Sequence, residues 1–389
     1  MSPTHTVGFG KDNGRTVPSA ANVLRTNYTS ALPEVPRKVD TSGSDVSTRP
    51  LPRLEVRQSN LPKAGLGLFT TEDIPAYTRV LEDSALLSLA QGEDLPELWQ
   101  KYSALPAEDK DTFGQLSLPD AYVMKGFTMV EKLTERGYDQ EEAMHMARVS
   151  SVFQANGFKT AGSVQQPKTE GREGSEWAVA LFPTVARINH SCVPNLHAHY
   201  DPSSGAQIIY SLRDISAGAE LTISYFQITM PRAARQKRAG DWGFTCTCPA
   251  CSGIDIFKDE GYELSLMMVQ HALGGQFDTS KIFNGPTPAI ENINRAIQIA
   301  SRSFMPWLVA ALPALYVKLG CLIQYGYSHR PDLFSEQYEK ILSSLREAVV
   351  WESRITGPNS PPSRQRKKFM DEMAVILKEI ESRSGERKD

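Results

Sequence analysis

RINHSCVPN, Arg187 to Asn195, and GAELTISYF, Gly218 to Phe226, are the two stretches on which the reading of this chain turns. In the first, the polar pair Asn189-His190 follows the apolar Val185 and Ile188, and the thiol of Cys192 comes two residues later. In the second, a turn at Gly218 runs into a short apolar strand that ends at Tyr225. Taken singly these residues say little. Asn189-His190 reads as a polar turn, and a lone histidine is more often a hydrogen-bonded structural group than a catalyst. Two further segments stand in order around them: KAGLGLF, Lys63–Phe69, upstream, and WGFTCTCPAC, Trp242–Cys251, downstream. Ordered motifs across roughly two hundred residues are far less often accidental than any short pattern alone.

The bulk properties bound the class. The chain has 389 residues, 40% of them hydrophobic and 22% charged, as in ordinary globular proteins. A formal net charge of −3 leaves no overall basic footprint for a nucleic-acid backbone, so no direct nucleic-acid contact is expected. Three of the five cysteines fall between Cys246 and Cys251, too close together to staple a chain of this length. That pattern points to a reducing compartment. With no apolar run near residue 1, a signal peptide is not expected. The apolar stretch Trp307–Val317 reads as too short to span a bilayer, so no membrane association is expected either. A soluble protein of the cytoplasm, the nucleus or both is the expectation.

Along the chain, residues 1–50 are rich in Ser, Thr, Pro, Gly and Asn without a hydrophobic period, and read as a disordered tail. Strands are predicted at Leu54–Ser59, around Leu66–Thr70, from Arg79, over Trp177–Pro183, and on both sides of the Asp201–Gly205 turn. Between about residues 93 and 157 the apolar residues recur at helical spacing. Glu170–Glu176 reads as an exposed loop. Arg232–Arg238 reads as a short helix whose basic run faces solvent. From Ile254 onward five helical stretches are separated by Gly-, Pro- or Ser-rich breaks. No clean 34-residue repeat emerges, so they read as helical hairpins that scaffold the fold or dock a partner. Arg364–Lys368 (RQRKK) reads as a solvated helix start rather than a nuclear signal. Cys321, among apolar neighbours, reads as an inert core thiol.

Asn189-His190-Ser191-Cys192-x-Pro194-Asn195, followed by Gly218-x-Glu220-Leu221-Thr222-x-x-Tyr225, resembles the signature of SET-domain methyltransferases, and the helical insertion is similar to that of the SET-and-MYND subfamily. No cysteine precedes Cys192, so the MYND zinc finger of that subfamily is expected to be missing. The resemblance implies an α+β fold. Its parts would be a β-rich SET core over residues 51–230 with a knot-like crossing, the insertion at about 93–157, a zinc-bound post-SET segment over 231–255 and an all-α C-terminal domain over 256–389. Such threading is rare among folds generally.

It also implies an enzyme that moves a methyl group from S-adenosylmethionine (SAM) to a lysine amine of a protein or peptide, histone or non-histone. By resemblance, Gly65, Leu66, Gly67, Asn156, Asn189, His190, Tyr225 and Phe244 would meet SAM. Asn156-Gly157 has the equally bland reading of a helix C-cap and turn. Tyr225 would be the catalytic residue, and Trp242 would join it in lining the substrate channel. Methyl transfer is an in-line displacement that needs alignment more than acid–base strength. The acceptor must also have lost its proton, which an apolar channel favours by desolvating the ammonium. Cys246, Cys248 and Cys251 supply three thiolates where structural zinc takes four ligands; the family pattern makes Cys192 the fourth. Gly218-Ala219-Glu220 stands where the family has Gly-Glu-Glu, and Ala186-Arg187 also departs from its usual residues. Two other functions stay open: a SET-fold binding module with weak catalysis, and a fold recruited for a small-molecule reaction.

Overall fold

The computed structural model describes residues 50–62, 64–160, 178–253, 257, 260–275, 282, 285–302 and 305–385. The tail reading of residues 1–49 and the Glu170–Glu176 loop lie outside them. Within the described part, short strands come first. Strands β1 (Leu54–Gln58) and β2 (Leu66–Thr70) form an antiparallel pair. β3 (Arg79–Ser84) lies at one edge of a three-stranded sheet, and β4 (Leu87–Leu89) opens another.

The insertion follows as four helices: α1 (Leu95–Ser103), α2 (Ala107–Gly114), α3 (Asp120–Glu135) and α4 (Gln140–Asn156). Their boundaries have local causes. Asp94 and Glu97 form a capping box at the start of α1, and the Asp139 carboxylate accepts from the Glu141 and Glu142 amides at the start of α4. One face of α4, with Val149, Val152 and Phe153, buries against Leu87, Leu98, Phe113 and Leu181. This packing holds the end of α4, at Asn156, against the sheet formed by β4, β5 (Gly157–Lys159) and β6 (Val179–Leu181).

The central motif supplies β7 (Asn189–His190), and the next strands are β8 (Leu196–Asp201) and β9 (Ala206–Ser211). β9 lies between β3 and β8, antiparallel to both. β10 (Thr222–Ile223) pairs in parallel with β7, Thr222 opposite Asn189 and Ile223 opposite His190. Parallel partners cannot be joined by a tight turn, so the chain travels out through β8 and β9 before returning. The core under this crossing is apolar: Leu68, Phe182, Val185, Ile188, Leu196, Ile209, Leu221 and Ile223.

Beyond it come α5 (Arg232–Asp241) and the four-residue α6 (Pro249–Ser252), then α7 (Glu260–Gly274), α8 (Thr287–Ala300), α9 (Leu312–Tyr327), α10 (Pro331–Thr356) and α11 (Pro361–Gly385). A 3₁₀ turn over Pro306–Ala311 leads into α9. The helical run Pro306–Tyr327 is longer than the apolar stretch read from sequence, and by length and composition alone it could cross a membrane. Most of it is buried, with Leu308, Leu312 and Leu315 fully enclosed. One apolar cluster runs from the cysteines through these helices to Leu377. Arg235 departs from the solvated face expected of Arg232–Arg238: it is 1% exposed and pairs with Glu263 at 3.0 Å.

Candidate active site and cysteine centre

The β7–β10 crossing is fastened by side chains. Asn195 Nδ2 donates to the Glu220 carbonyl at 2.9 Å, while its Oδ1 accepts from the Thr222 amide at 2.7 Å. The Glu220 carboxylate collects the Ser59 hydroxyl at 2.6 Å, the Asn60 amide at 2.9 Å and Asn189 Nδ2 at 2.9 Å. Asn189 Nδ2 also reaches the Leu66 carbonyl at 3.0 Å. Three segments far apart in sequence thus meet at one carboxylate. Gly67 is required there. A Cβ on it would stand 2.5 Å from Glu220 Oε1 and 3.0 Å from Asn189 Nδ2.

His190 is 5% exposed, and burial pushes its pKa down to about 4. Its Nδ1 accepts from the Tyr225 amide at 3.0 Å, so in the neutral ring the proton sits on Nε2. That nitrogen faces Cys192 Sγ at 3.2 Å. The imidazole is therefore a strut between Tyr225 and Cys192, with both nitrogens committed. Tyr225 donates its hydroxyl to the Ile188 carbonyl at 2.8 Å, and burial raises its pKa well above the usual phenol value, so it stays protonated. Its ring stacks on Trp242 at 5.4 Å and meets Phe244 edge-on at 6.2 Å. Phe226, which the sequence reading did not single out, lies 4.3 Å from the His190 ring and stacks with Phe244.

These groups border a cavity of about 2040 Å³. Gly65, Leu66, Asn156, Asn189, His190, Tyr225, Trp242 and Phe244 all line it. Gly67 is not among the lining residues; its place is behind the wall, against Glu220. Asn156 Nδ2 donates to the carbonyls of Ser117, at 2.7 Å, and Val152, at 2.8 Å. Its amide thus ties the end of α4 to the α2–α3 connection, and Gly157 enters β5 in an extended conformation where the bland reading expected a turn. Glu220, Asn195 and Phe226 were the missed residues. The signal for the first was its place in Gly218-x-Glu220, but the three groups it would gather come from far along the chain.

The four sulfurs of Cys192, Cys246, Cys248 and Cys251 lie within 4.8 Å of one another, all buried. Cys192 Sγ stands 3.8 Å from Cys246 Sγ and 3.5 Å from Cys251 Sγ, too far for disulfides. Thiolates about 2.3 Å from a tetrahedral zinc would stand roughly 3.8 Å apart, so the spacing fits that ion. A turn assembles three of them. Cys248 caps α6, and the Cys251 amide donates to its carbonyl at 2.9 Å. Burial, the largest single effect, lowers the Arg235 pKa, but nearby negative charge, on the Cys192 and Cys251 sulfurs when ionised and on the Glu263 carboxylate, raises it overall.

Known proteins resemble this chain over the segment that carries these groups. Residues 65–226 match the family model described as SET domain. The N-lysine methyltransferase SMYD2-B of Danio rerio is 31% identical over 172 residues, which cover 41% of this chain and 39% of that one. The histone-lysine N-methyltransferase set5 of Schizosaccharomyces pombe is 23% identical over 287 residues, 73% of this chain and 76% of its own. Among solved structures, the SET domain of LSMT bound to lysine and AdoHcy aligns over 86% of this chain and 87% of its own at 11% identity, with a TM-score of 0.29. That overlap is too loose to carry an inference. Residues 65–226 are thus similar to a SET domain, and the chain is similar at modest identity to SMYD-type lysine methyltransferases. The matched stretch spans about two fifths of the zebrafish relative.

Proposed function

We propose that this chain is a SAM-dependent methyltransferase that acts on protein lysine. The observation that carries this is the shared cavity. Asn189 and His190 from one motif and Tyr225 from another line it together, beside the Gly65-Leu66 backbone and the Trp242–Phe244 aromatic wall. Its volume of about 2040 Å³ exceeds the roughly 300–1,000 Å³ of a usual small-molecule pocket, leaving room for a polypeptide segment beside a cofactor.

The cavity residues fit SAM. The Gly65-Leu66 backbone and the Asn189 and His190 main chain would hold it, with Phe244 offering a ring face to its purine. When bound, SAM supplies an electrophilic methyl group on a sulfonium. The chain's own part is alignment. Tyr225, kept protonated and held by the Ile188 carbonyl, can direct its hydroxyl dipole at an amine nitrogen. The aromatic pair Tyr225–Trp242 gives that amine an apolar wall that favours its neutral, nucleophilic form. His190 is a positioning residue here, since neither ring nitrogen is free to take a proton.

Zinc on Cys192, Cys246, Cys248 and Cys251 would clamp the segment bearing Trp242 and Phe244 onto the cavity. The parallel β7–β10 pairing supports the knot-like crossing, and the helices from α7 onward support an all-α C-terminal domain. We place the protein in the cytoplasm, the nucleus or both, on the strength of its reduced thiols.

The test is methyl transfer from labelled SAM to lysine-bearing peptides and to protein extracts, with wild type beside Tyr225→Phe. Label on lysine from wild type, reduced at least about a hundredfold by the variant, is expected. Folded, SAM-bound wild type that labels nothing would sink the reading.

A further inference from the structure

The charge on the cavity wall is unlike that of the chain. The protein carries a formal −3, yet among the described residues those lining the cavity include Lys125, Lys159, Arg187 and Arg238 against Glu93 and Asp94. Both acids are committed locally. Glu93 binds Lys101 and the Ala90 amide, and Asp94 belongs to the capping box of α1. Lys125, Arg187 and Arg238 have no carboxylate partner among the described residues.

Arg187 is the one placed deepest. It ends the 3₁₀ turn Val185–Arg187, one residue before the Ile188 carbonyl that accepts the Tyr225 hydroxyl. The turn is pinned by Asp83, whose Oδ2 accepts from the amides of Thr184 at 2.7 Å and Val185 at 2.8 Å. Arg187 is therefore held on a fixed frame beside the reacting centre. Its side chain is half-buried, and desolvation alone lowers its pKa, with no acid nearby to offset it. A guanidinium removed from water without a countercharge is costly unless a ligand supplies one.

Resting on the lysine-methyltransferase reading, we propose that Arg187 selects substrates in which an acidic residue lies close to the target lysine. The substrate carboxylate takes the Arg187 guanidinium as a charge-assisted pair. Lys125 and Arg238, at the exposed rim, steer acidic segments inward. A peptide with only basic residues around its lysine meets unrelieved repulsion at this wall.

The experiment uses the full, zinc-containing chain and short peptides with one central lysine, flanked at each nearby position in turn by Glu, Gln or Lys. Binding is read by fluorescence anisotropy and turnover by labelled-methyl transfer. Wild type is expected to bind the best Glu peptide at least about tenfold tighter than its Lys counterpart. That ratio should shrink as salt rises. Arg187→Gln should flatten the ranking and Arg187→Glu should reverse it. If the reversed variant fails to fold by thermal melting, the flattening in Arg187→Gln decides. A wild type indifferent to the flanking charge, or a ranking that survives both substitutions, would overturn the proposal. Transfer without the ranking defeats this inference alone. The ranking without transfer to any peptide defeats the methyltransferase reading and leaves Arg187 as an acidic-peptide contact.

Discussion

The β7–β10 crossing and the helices from α7 to α11 are held by opposite means. At the crossing only two residues of each strand pair, and polar side chains do the fastening: Asn195 across Glu220 and Thr222, Glu220 across Ser59, Asn60 and Asn189. Among the helices, close apolar packing dominates. Gly320 of α9 lies so near Leu345 of α10 that a Cβ there would stand 3.1 Å from Leu345 Cδ2. Hydrogen bonds are directional and specify register, whereas apolar burial depends mainly on area and volume. The crossing should therefore fail when an atom changes chemistry at constant shape, and the helices when volume changes at constant chemistry.

The largest effect should come from a third arrangement that joins the two regions, the cysteine centre. Cys251→Ser removes one of the four thiols of the proposed zinc site, and we expect metal analysis to find zinc in wild type and almost none in the variant. Its stability should fall by several kcal/mol, as for other structural zinc sites. A Cys-intact protein purified under reducing conditions without zinc would remove this centre from the account.

Next in size is Leu345→Ala, which empties a buried position in the helices. It should cost about 3 kcal/mol in denaturant unfolding yet leave SAM affinity unchanged, while Leu345→Met costs under about 1.5 kcal/mol. Glu220→Gln tests the other half of the comparison. It keeps the shape but replaces one acceptor oxygen with a donor, leaving a mismatched bond to Ser59, Asn60 or Asn189. We expect a loss of about 2 kcal/mol, with SAM affinity reduced as Asn189 and Leu66 shift. If Glu220→Gln is silent and Leu345→Met is not, the comparison has been drawn the wrong way round.

The smallest effect is a pH dependence. His199 is 8% exposed, neither ring nitrogen has a partner, and burial pushes its pKa down to about 4. The unfolded chain binds this proton near the ordinary value of about 6.5, so unfolding takes up a proton in between. Stability from this group is whole above pH ~6.5 and drains away as pH falls toward 4. The loss should be on the order of 1 kcal/mol at pH 5.5. Thermal melts of wild type and His199→Phe between these limits should diverge, with the variant flatter.

What was legible in sequence follows from the same contrast. The Cys246–Cys251 run could be read because thiol spacing is a local signal, and the helices because apolar period is, whereas Cys192 joined the run only through the family resemblance. The apolar strand read as running to Tyr225, but only Thr222 and Ile223 pair with β7. The Tyr225 amide goes to a side chain, His190 Nδ1, and a ladder so diverted cannot continue. The run Pro306–Tyr327 opens as a 3₁₀ turn before Leu312, with Pro306 and Pro313 flanking a change that apolar spacing alone does not mark. Arg187 and Lys125 could not be linked from sequence at all, because the cavity both line exists only once the chain is folded.

The central claim is that Asn189, His190 and Tyr225 border a SAM site, and calorimetric titration of SAM into the zinc-containing protein tests it most directly. The account predicts binding that Asn189→Ala weakens at least about tenfold, since that side chain joins Leu66 to Glu220 at the cavity edge. Heat of binding left unchanged by Asn189→Ala, or no binding to folded wild type, would contradict it.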